Sequence, residues 1–487
     1  MTKISKIVLV AGAALSVAPA FAQNPDQSRA YSAELAADAQ TRSSLLAPAS
    51  SGANGFTISD QSGNYKLTIG GVVKFRYTAD FRPDSASGAN KVPVGTGVNK
   101  DDQFTSGFSM PLTRISLGGN IINPDMTFGL SGAFNGSQTN VGAGPGGANS
   151  SDLSGFGLED AWGRYAFDNG TYVKWGQFKL PTSREELVGD TSQLAADFSF
   201  LNNVFTQGRS QGIEFGYSAE SFRGMAAFSD GLRSANTDYN TPPANLIGAG
   251  GANGEADWAL SLRGEFKFAG EWSRFNDFTS FRSQDFAAMV GAAFHHEQGG
   301  NTGNTRGAAV GNVAGVSSQA GNGNRLSFYT IDASIEGAGW NAFAALLGSS
   351  TDGDSRSTTD TFGLLVQGGV FATENCEIFA RYEGLFVDSK ISGTGAAALD
   401  PDTFHFLTIG SNYYILPESH AAKITADAVI SLTETTYFQQ GVFSPTVSNT
   451  AFQTSSIGTV GGSTNSGVLG ASDAGEIALR LQFQLLF

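Results

Sequence analysis

All-β, an antiparallel barrel of sixteen strands closed within a membrane, is the fold class this sequence predicts, and three observations predict it. Beyond residue 64, sixteen segments alternate apolar and polar side chains, the period-two mark of strands with one apolar and one wetter face. Their connections sort into tight turns and long loops rich in Gly, Asn, Ser and Thr, the layout of an outer-membrane barrel with periplasmic turns and longer external loops. No stretch beyond residue 22 approaches the ~18–20 apolar residues of a membrane helix.

Composition agrees. Charged residues are only 15% against roughly 25% in soluble domains. Gly, at 63 of 487, is near twice its ordinary usage, and Phe numbers 37. Mean hydropathy is −0.11, which excludes a helical membrane protein. Cys376 is the only cysteine, so no intrachain disulfide forms and the disulfide-scaffold class is excluded. The formal net charge is −15, and no basic patch stands out against it, so no nucleic-acid partner is expected.

The first residues read as an export signal. Lys3 and Lys6 precede the apolar run IVLVAGAALSVA, and Ala20-Phe21-Ala22 offers a small-x-small cleavage site. Residues 1–22 are therefore expected to be a leader. Residues 23–55 form a short preface, with helix formers in SRAYSAELAADAQTRSSLLAP and a linker in SSGANG, and are expected on the periplasmic side. The barrel domain is expected to take up 56–487.

The strands are expected near 65–80, 107–121, 126–135, 158–167, 172–180, 210–218, 222–229, 257–268, 286–297, 325–336, 340–348, 360–371, 376–387, 403–415, 421–432 and 476–487. In the first, Leu67, Ile69, Val73, Phe75 and Tyr77 share one face while Lys66, Lys74 and Arg76 take the other. In DWALSLRGEFKF, Trp258, Leu260, Leu262, Phe266 and Phe268 oppose Arg263, Glu265 and Lys267. The segments 172–180, 340–348 and 403–415 alternate poorly. Turns fall at 123–125, 168–171, 219–221, 337–339, 373–376 and 416–419, and only 269–285, with Trp272, Phe275 and Phe278, is too long for its place in the series. The first connection is long, which puts both termini on the periplasmic side. In lipid every backbone polar group must be paired, so the strands must close on themselves. The alternative is a secreted soluble sandwich or solenoid, whose connections would not sort into two sets.

Motifs for chemistry are weak. Gly208-Arg209-Ser210-Gln211-Gly212 fits G-x-S-x-G, but a loop precedes the Ser and a strand follows it, the reverse of a nucleophile elbow. Gly142 to Gly147 fits G-x-G-x-x-G by spacing alone. Alternation sends His295 and His296 to opposite faces, which argues against a metal site. No catalytic, cofactor or metal residue is expected. A pore is the alternative to chemistry, since sixteen strands enclose a lumen too wide for wall side chains to fill. The segment 181–209 lacks alternation, reads as helix in its middle, and is expected to fold inward as a constriction; an external loop against a neighbouring copy is the other reading.

The blocks LEDAWGRYAFDNGTYVKWGQFKLP and GRSQGIEFGYSAESFRGMAAFSDGL, within 158–232, resemble the phosphate-selective porin O and P family. The resemblance implies a passive, trimeric outer-membrane porin whose Arg and Lys attract anions such as phosphate or polyphosphate. Lys179 and Arg209 lie in the matched blocks, and Lys174 and Arg184 flank the expected constriction. Lys74, Arg76, Arg114, Arg164, Arg263, Lys267 and Arg381 join them as pore-lining candidates on strand alternation, together with the acids Asp160, Asp257, Glu265, Glu377, Glu383 and Asp427. That mixed wall and the pI near 4.7 keep a general, sugar-preferring or cation-preferring porin open as the alternative, with a filled-lumen enzyme or adhesin behind it. The closing segment EIALRLQFQLLF is expected to pair with the first strand, its apolar row toward outer-membrane lipid. Its terminal Phe487 resembles the signature read by outer-membrane assembly machinery.

Overall fold

A computed structural model describes residues 55–83, 104–134, 157–206, 208–232, 234–235, 256–298, 325–353, 356–387, 403–433, 468 and 474–487. The expected leader, most of the preface and the long loops, and the Gly142–Gly147 run lie outside the described residues. A four-residue strand β1 (Phe56–Ser59) is followed by β2 (Lys66–Phe81), β3 (Phe104–Asn120), β4 (Met126–Ala133), β5 (Gly157–Ala166) and β6 (Thr171–Lys179). Next come β7 (Arg209–Ser218), β8 (Phe222–Ser229), β9 (Trp258–Ala269), β10 (Ala287–Gln298) and β11 (Arg325–Gly337). The remainder are β12 (Trp340–Gly353), β13 (Arg356–Phe371), β14 (Cys376–Val387), β15 (Thr403–Tyr414), β16 (Ala422–Ser431) and β17 (Ile477–Leu486).

Strands β2 to β17 each pair with their sequence neighbours, and β17 pairs antiparallel with β2 from Ile477 opposite Phe81 to Leu486 opposite Val72. The result is a closed sixteen-stranded antiparallel barrel. All sixteen expected segments are strands. The seam continues past β17: Phe487 and Gly71 exchange backbone hydrogen bonds of 3.0 and 2.7 Å, and β1 then takes over the same edge of β2, Phe56 opposite Ile69. Gly71 makes room for the Phe487 ring, since a Cβ there would lie 2.4 Å from it and displace it.

Alternation orients the wall. Phe75, Phe215, Phe228, Phe266, Ile331, Leu346, Val366, Ile409 and Leu481 are exposed on the outer face, while Arg76, Ser261, Glu377, Asn412, Lys423 and Gln482 are buried on the inner one. Lipid in place of water makes that outer row favourable. A bulge where Met110 and Pro111 oppose Phe75 shifts β3 by one residue. Pro111 has no N–H to give to a ladder, and a bulge tolerates that. Phe104 and Phe108 thus pack at a tilt against Phe81 and Tyr77 on the outer face, yet Leu112 and Arg114 point inward with Lys74.

Two connections depart from the expected series. Strands β12 and β13 run on to Gly353 and Arg356 and are joined by two residues, so one connection at the loop end is as short as a turn. The long turn between β9 and β10 folds into the barrel.

Candidate functional site

The lumen has two unlike halves. On β11 to β17 the inward row includes Leu326, Phe328, Phe343, Leu347, Leu365, Phe379, Phe404, Phe406 and Val429, all buried. The segment between β6 and β7 covers them with a one-turn helix α1 (Arg184–Leu187), a 3-10 turn (Asp190–Ser192) and α2 (Phe200–Phe205). Val188, Leu194, Phe200, Leu201, Val204 and Phe205 pack into that apolar wall, the Phe200 ring edge-on to Phe406 at 4.8 Å. Each fully buried side chain of this kind contributes about 1.5–3 kcal/mol, which holds an otherwise irregular segment in place. Ser199 caps α2, its Oγ accepting from the Asn202 N–H at 2.8 Å.

Polar tethers surround this contact. Lys74 donates to the Asp190 carbonyl (2.9 Å), Lys423 to that of Gln193 (2.9 Å), and Arg381 to those of Asp197 (2.9 Å) and Phe198 (3.3 Å). Arg76 donates to the Ala196 carbonyl, the Asp197 carboxylate and Gln482. Glu383 accepts from the first N–H groups of α2, at Phe200 (2.6 Å) and Leu201 (3.3 Å). These buried wall charges satisfy backbone that has no helix or ladder partner. Within the segment, Glu185 accepts from both the N–H and the hydroxyl of Ser199 at 2.6 Å. Burial nevertheless lifts its carboxyl from the ordinary 4.5 to about 7, outweighing Arg381 and the Ser199 hydrogen bonds. At Asp190 burial also pushes upward, but the charges of Arg114 and Lys74 prevail and hold that carboxyl below its usual range.

A second insert enters from the turn end. Between β9 and β10 a 3-10 turn (Trp272–Asn276) leads into Phe278 and Phe281, both buried. Phe278 joins the main apolar cluster against Phe343 (4.8 Å), and Phe281 packs on Phe371 and Tyr414. The inserts touch: the Phe278 N–H donates to the Ser192 carbonyl at 3.2 Å, and Arg184 donates to the carbonyls of Phe275 and Asp277.

The other half of the lumen stays open. On β2 to β5 the inner wall bears small residues, Thr68, Gly70, Ser116, Gly118, Gly129 and Ser131, and a space of about 480 Å³ lies against them, bounded also by Arg114, Asp160, Trp162 and Thr191. A bulge in β5 sets its charge: Ser131 faces Asp160 while Gly132 faces Leu158, leaving Glu159 as the extra residue. Both carboxylates consequently turn to the lumen. Arg114 bridges Glu159 and Asp190, and Arg209 binds Asp160 through two nitrogens at 3.0 and 2.9 Å. Further ion pairs are Lys174 with Glu214 (3.8 Å), Lys179 with Glu186 (3.4 Å) and Arg223 with Glu265 (3.0 Å). In these three the base is the more exposed partner: 19% against 4%, 19% against 9%, and 28% against 6%. Asp160 reverses the order, 25% against 18% for Arg209.

The eleven sequence-named bases thus divide. Arg114, Arg164, Lys174, Lys179 and Arg209 border the open half. Lys74, Arg76, Arg184 and Arg381 are buried tethers of the inserts, Arg263 is buried between Glu265 and Asp332, and Lys267 stands by Trp272. Sequence reasoning missed Glu159, Asp190, Trp162 and the turn-end insert. The overlong turn with three aromatics was the one signal for the last of these.

The remaining motifs are accounted for by packing. Ser210 is fully buried with its hydroxyl on Ser234 (2.7 Å), and β7 follows it. His295 contacts Ser261 (2.8 Å) and Glu297 (3.4 Å), and all three side chains are fully buried. Among the described residues no three His, Cys, Asp or Glu are grouped to hold a metal.

A closed sixteen-stranded barrel with an apolar outer face and a charged lumen narrowed from within is the architecture of an outer-membrane porin channel. Residues 87–254 match the family Phosphate-selective porin O and P, and that span contains both blocks that resemble it. Among solved structures, OmpF of Salmonella typhi in complex with daunomycin aligns with a TM-score of 0.52 at 11% identity, covering 88% of this chain and 100% of that one. The outer membrane channel DcaP of Acinetobacter baumannii aligns at 0.49 and 11% identity (89% and 100%). The anion-selective porin from Comamonas acidovorans aligns at 0.48 and 13% (86% and 99%). At such identities the likeness is one of fold. No curated protein matches the sequence.

Proposed function

We propose that this channel passes small anions, of the phosphate or polyphosphate type, by passive diffusion across a bacterial outer membrane. In this reading it is a trimer, as the family resemblance implies, with a cleaved leader, both termini periplasmic and no enzymatic activity. The observation that carries it is the placement of charge in the open half. In the pairs Lys174–Glu214 and Lys179–Glu186 the acid sits deeper than its base, and Arg164 has no carboxylate within ion-pair distance among the described residues. A solute feels the nearer, less screened charge most. Reversal potential under a KCl gradient, followed by phosphate block of the chloride current, tests this. Lys179→Glu and Arg209→Glu are each expected to shift selectivity toward cations, and unchanged selectivity in both places the filter elsewhere. A second reading, a channel for neutral or cationic solutes such as sugars, is favoured by Asp160, which is more accessible than its partner Arg209, and by the pairing of most other bases. Cation preference without phosphate block would establish it.

A further inference from the structure

On the turn side of the constriction, the inner faces of β5 and β6 carry a flat aromatic shelf edged with cations. The geometry points to a binding subsite there for a ring-bearing organic anion, a monosaccharide phosphate or an aromatic carboxylate, in preference to inorganic phosphate. The inference rests on the anion reading above and names its solute class.

The Trp162 indole lies against the wall directly over Gly129, where a Cβ would come within 2.6 Å of the ring, and its cross-strand partner on β6 is Gly176. Tyr172 lies in the same way over Gly216, where a Cβ would meet the ring at 2.1 Å. Both rings are held flat by the glycines beneath them. Trp162 packs against Phe178, Leu180 and Ala227 on one side, borders the open space of about 480 Å³ and is only partly buried. Tyr172 is covered on its other face by Arg164, so the ring face left to a ligand is that of Trp162, unlike Phe328 and Phe404 in the opposite half, which are fully buried.

The cations stand around these rings. Arg164 sits 4.2 Å over Tyr172, and Lys174 Nζ is 4.0 Å from the centre of Phe178 and 5.8 Å from that of Trp162. Arg164 lacks a carboxylate partner among the described residues. The partner of Lys174, Glu214, is 3.8 Å away and also accepts the Tyr172 hydroxyl at 2.9 Å. One positive charge of the patch is therefore unmatched. Inorganic phosphate would use that charge and gain nothing from an indole face. A sugar or arene would place its C–H or π face on Trp162 with the anionic substituent toward Lys174 and Arg164.

The test uses the full-length protein in planar bilayers. Chloride current is titrated with inorganic phosphate, glucose 6-phosphate, benzoate and neutral glucose. Glucose 6-phosphate or benzoate is expected to half-block at a concentration roughly tenfold below that of phosphate, the two probes separating sugar from aromatic acid. Trp162→Ala is expected to remove that difference and Trp162→Phe to keep it; Trp162→Leu, which keeps apolar bulk without a flat ring, is expected to remove it as well and serves where the Ala variant does not fold. Equal block by all anions in an anion-selective channel overturns this inference alone, as does a ring preference that survives in Trp162→Ala. Cation preference, with glucose blocking as well as its phosphate, overturns the anion reading and this inference with it.

Discussion

Arg184 is the side chain through which the two inserts and the wall meet, and Arg184→Met isolates that junction. The guanidinium donates to Ser334 Oγ at 2.7 Å and to the Phe275 and Asp277 carbonyls, between the rings of Phe275 and Phe278 at 5.4 and 5.0 Å. Methionine keeps most of the apolar stem and removes every donor. Two carbonyls and a hydroxyl are then left buried, at about 1–3 kcal/mol each. Part is recovered because a charged group is no longer desolvated. A net loss of about 3 kcal/mol lowers the docked-to-undocked ratio of the inserts by roughly two powers of ten. Strand pairing is untouched, so the barrel should keep its heat resistance while single-channel conductance in planar bilayers rises and becomes noisier. Ser334→Ala, which leaves both carbonyls partnered, should change conductance far less. A folded Arg184→Met barrel with wild-type conductance and noise would falsify the coupling of the inserts through this residue.

Glu185 and Phe487 give two further tests. Because the Glu185 carboxyl is lifted in the docked segment, the docked state binds more protons than the released one between pH 4.5 and about 7. Its contribution to docking is full below pH 4.5 and is lost as pH rises to about 7, roughly 3 kcal/mol in all. Conductance noise should grow from pH 5 to pH 8, and Glu185→Gln should flatten that dependence; a profile identical in the variant assigns it to another group. Deleting Phe487 removes the backbone pair with Gly71 and the ring over it. Folded barrel recovered from membranes should fall severalfold while the channels that form conduct normally, and normal recovery would contradict a role in assembly.

Strands were legible because lipid imposes an apolar row on every one of them, whatever lies inside. The weakly alternating segments at β12 and β15 show where this signal fails. Phe343, Leu347, Phe404 and Phe406 point into the lumen beneath the β6–β7 segment, so both rows of those strands are apolar. Alternation also assigns a face and not a partner. Arg76, Arg263 and Arg381 lie on the inner face, yet each is spent on a carboxylate or carbonyl there. The lumen position of Glu159 depends on one extra residue in β5, and period-two counting hides such a shift. The turn-end insert was visible only as a connection too long and too aromatic for its place, because a 3-10 turn has no periodicity to read.

An acidic chain and a pore for anions are compatible for a geometric reason. Formal charge weighs every carboxylate equally, but several of the acids inside this barrel are consumed in holding structure. Asp427 binds Arg480 and the Ala196 N–H, Glu383 the start of α2, Glu377 Tyr414 and Asn412, and Asp332 Arg263. Each is buried behind a wall or an insert; Asp427, Glu383 and Asp332 are also offset by an adjacent arginine, and Glu377 by neutral donors. Four of the five bases bordering the open half are also paired, but Glu214 and Glu186, the partners of Lys174 and Lys179, lie deeper, so these two pairs act as dipoles with the positive end toward water. At Asp160 the dipole is inverted. Selectivity should therefore follow the orientation of a few pairs between β3 and β8, and substitutions among the buried acids of β14 to β17 should affect folding of the inserts well before they affect which ion passes.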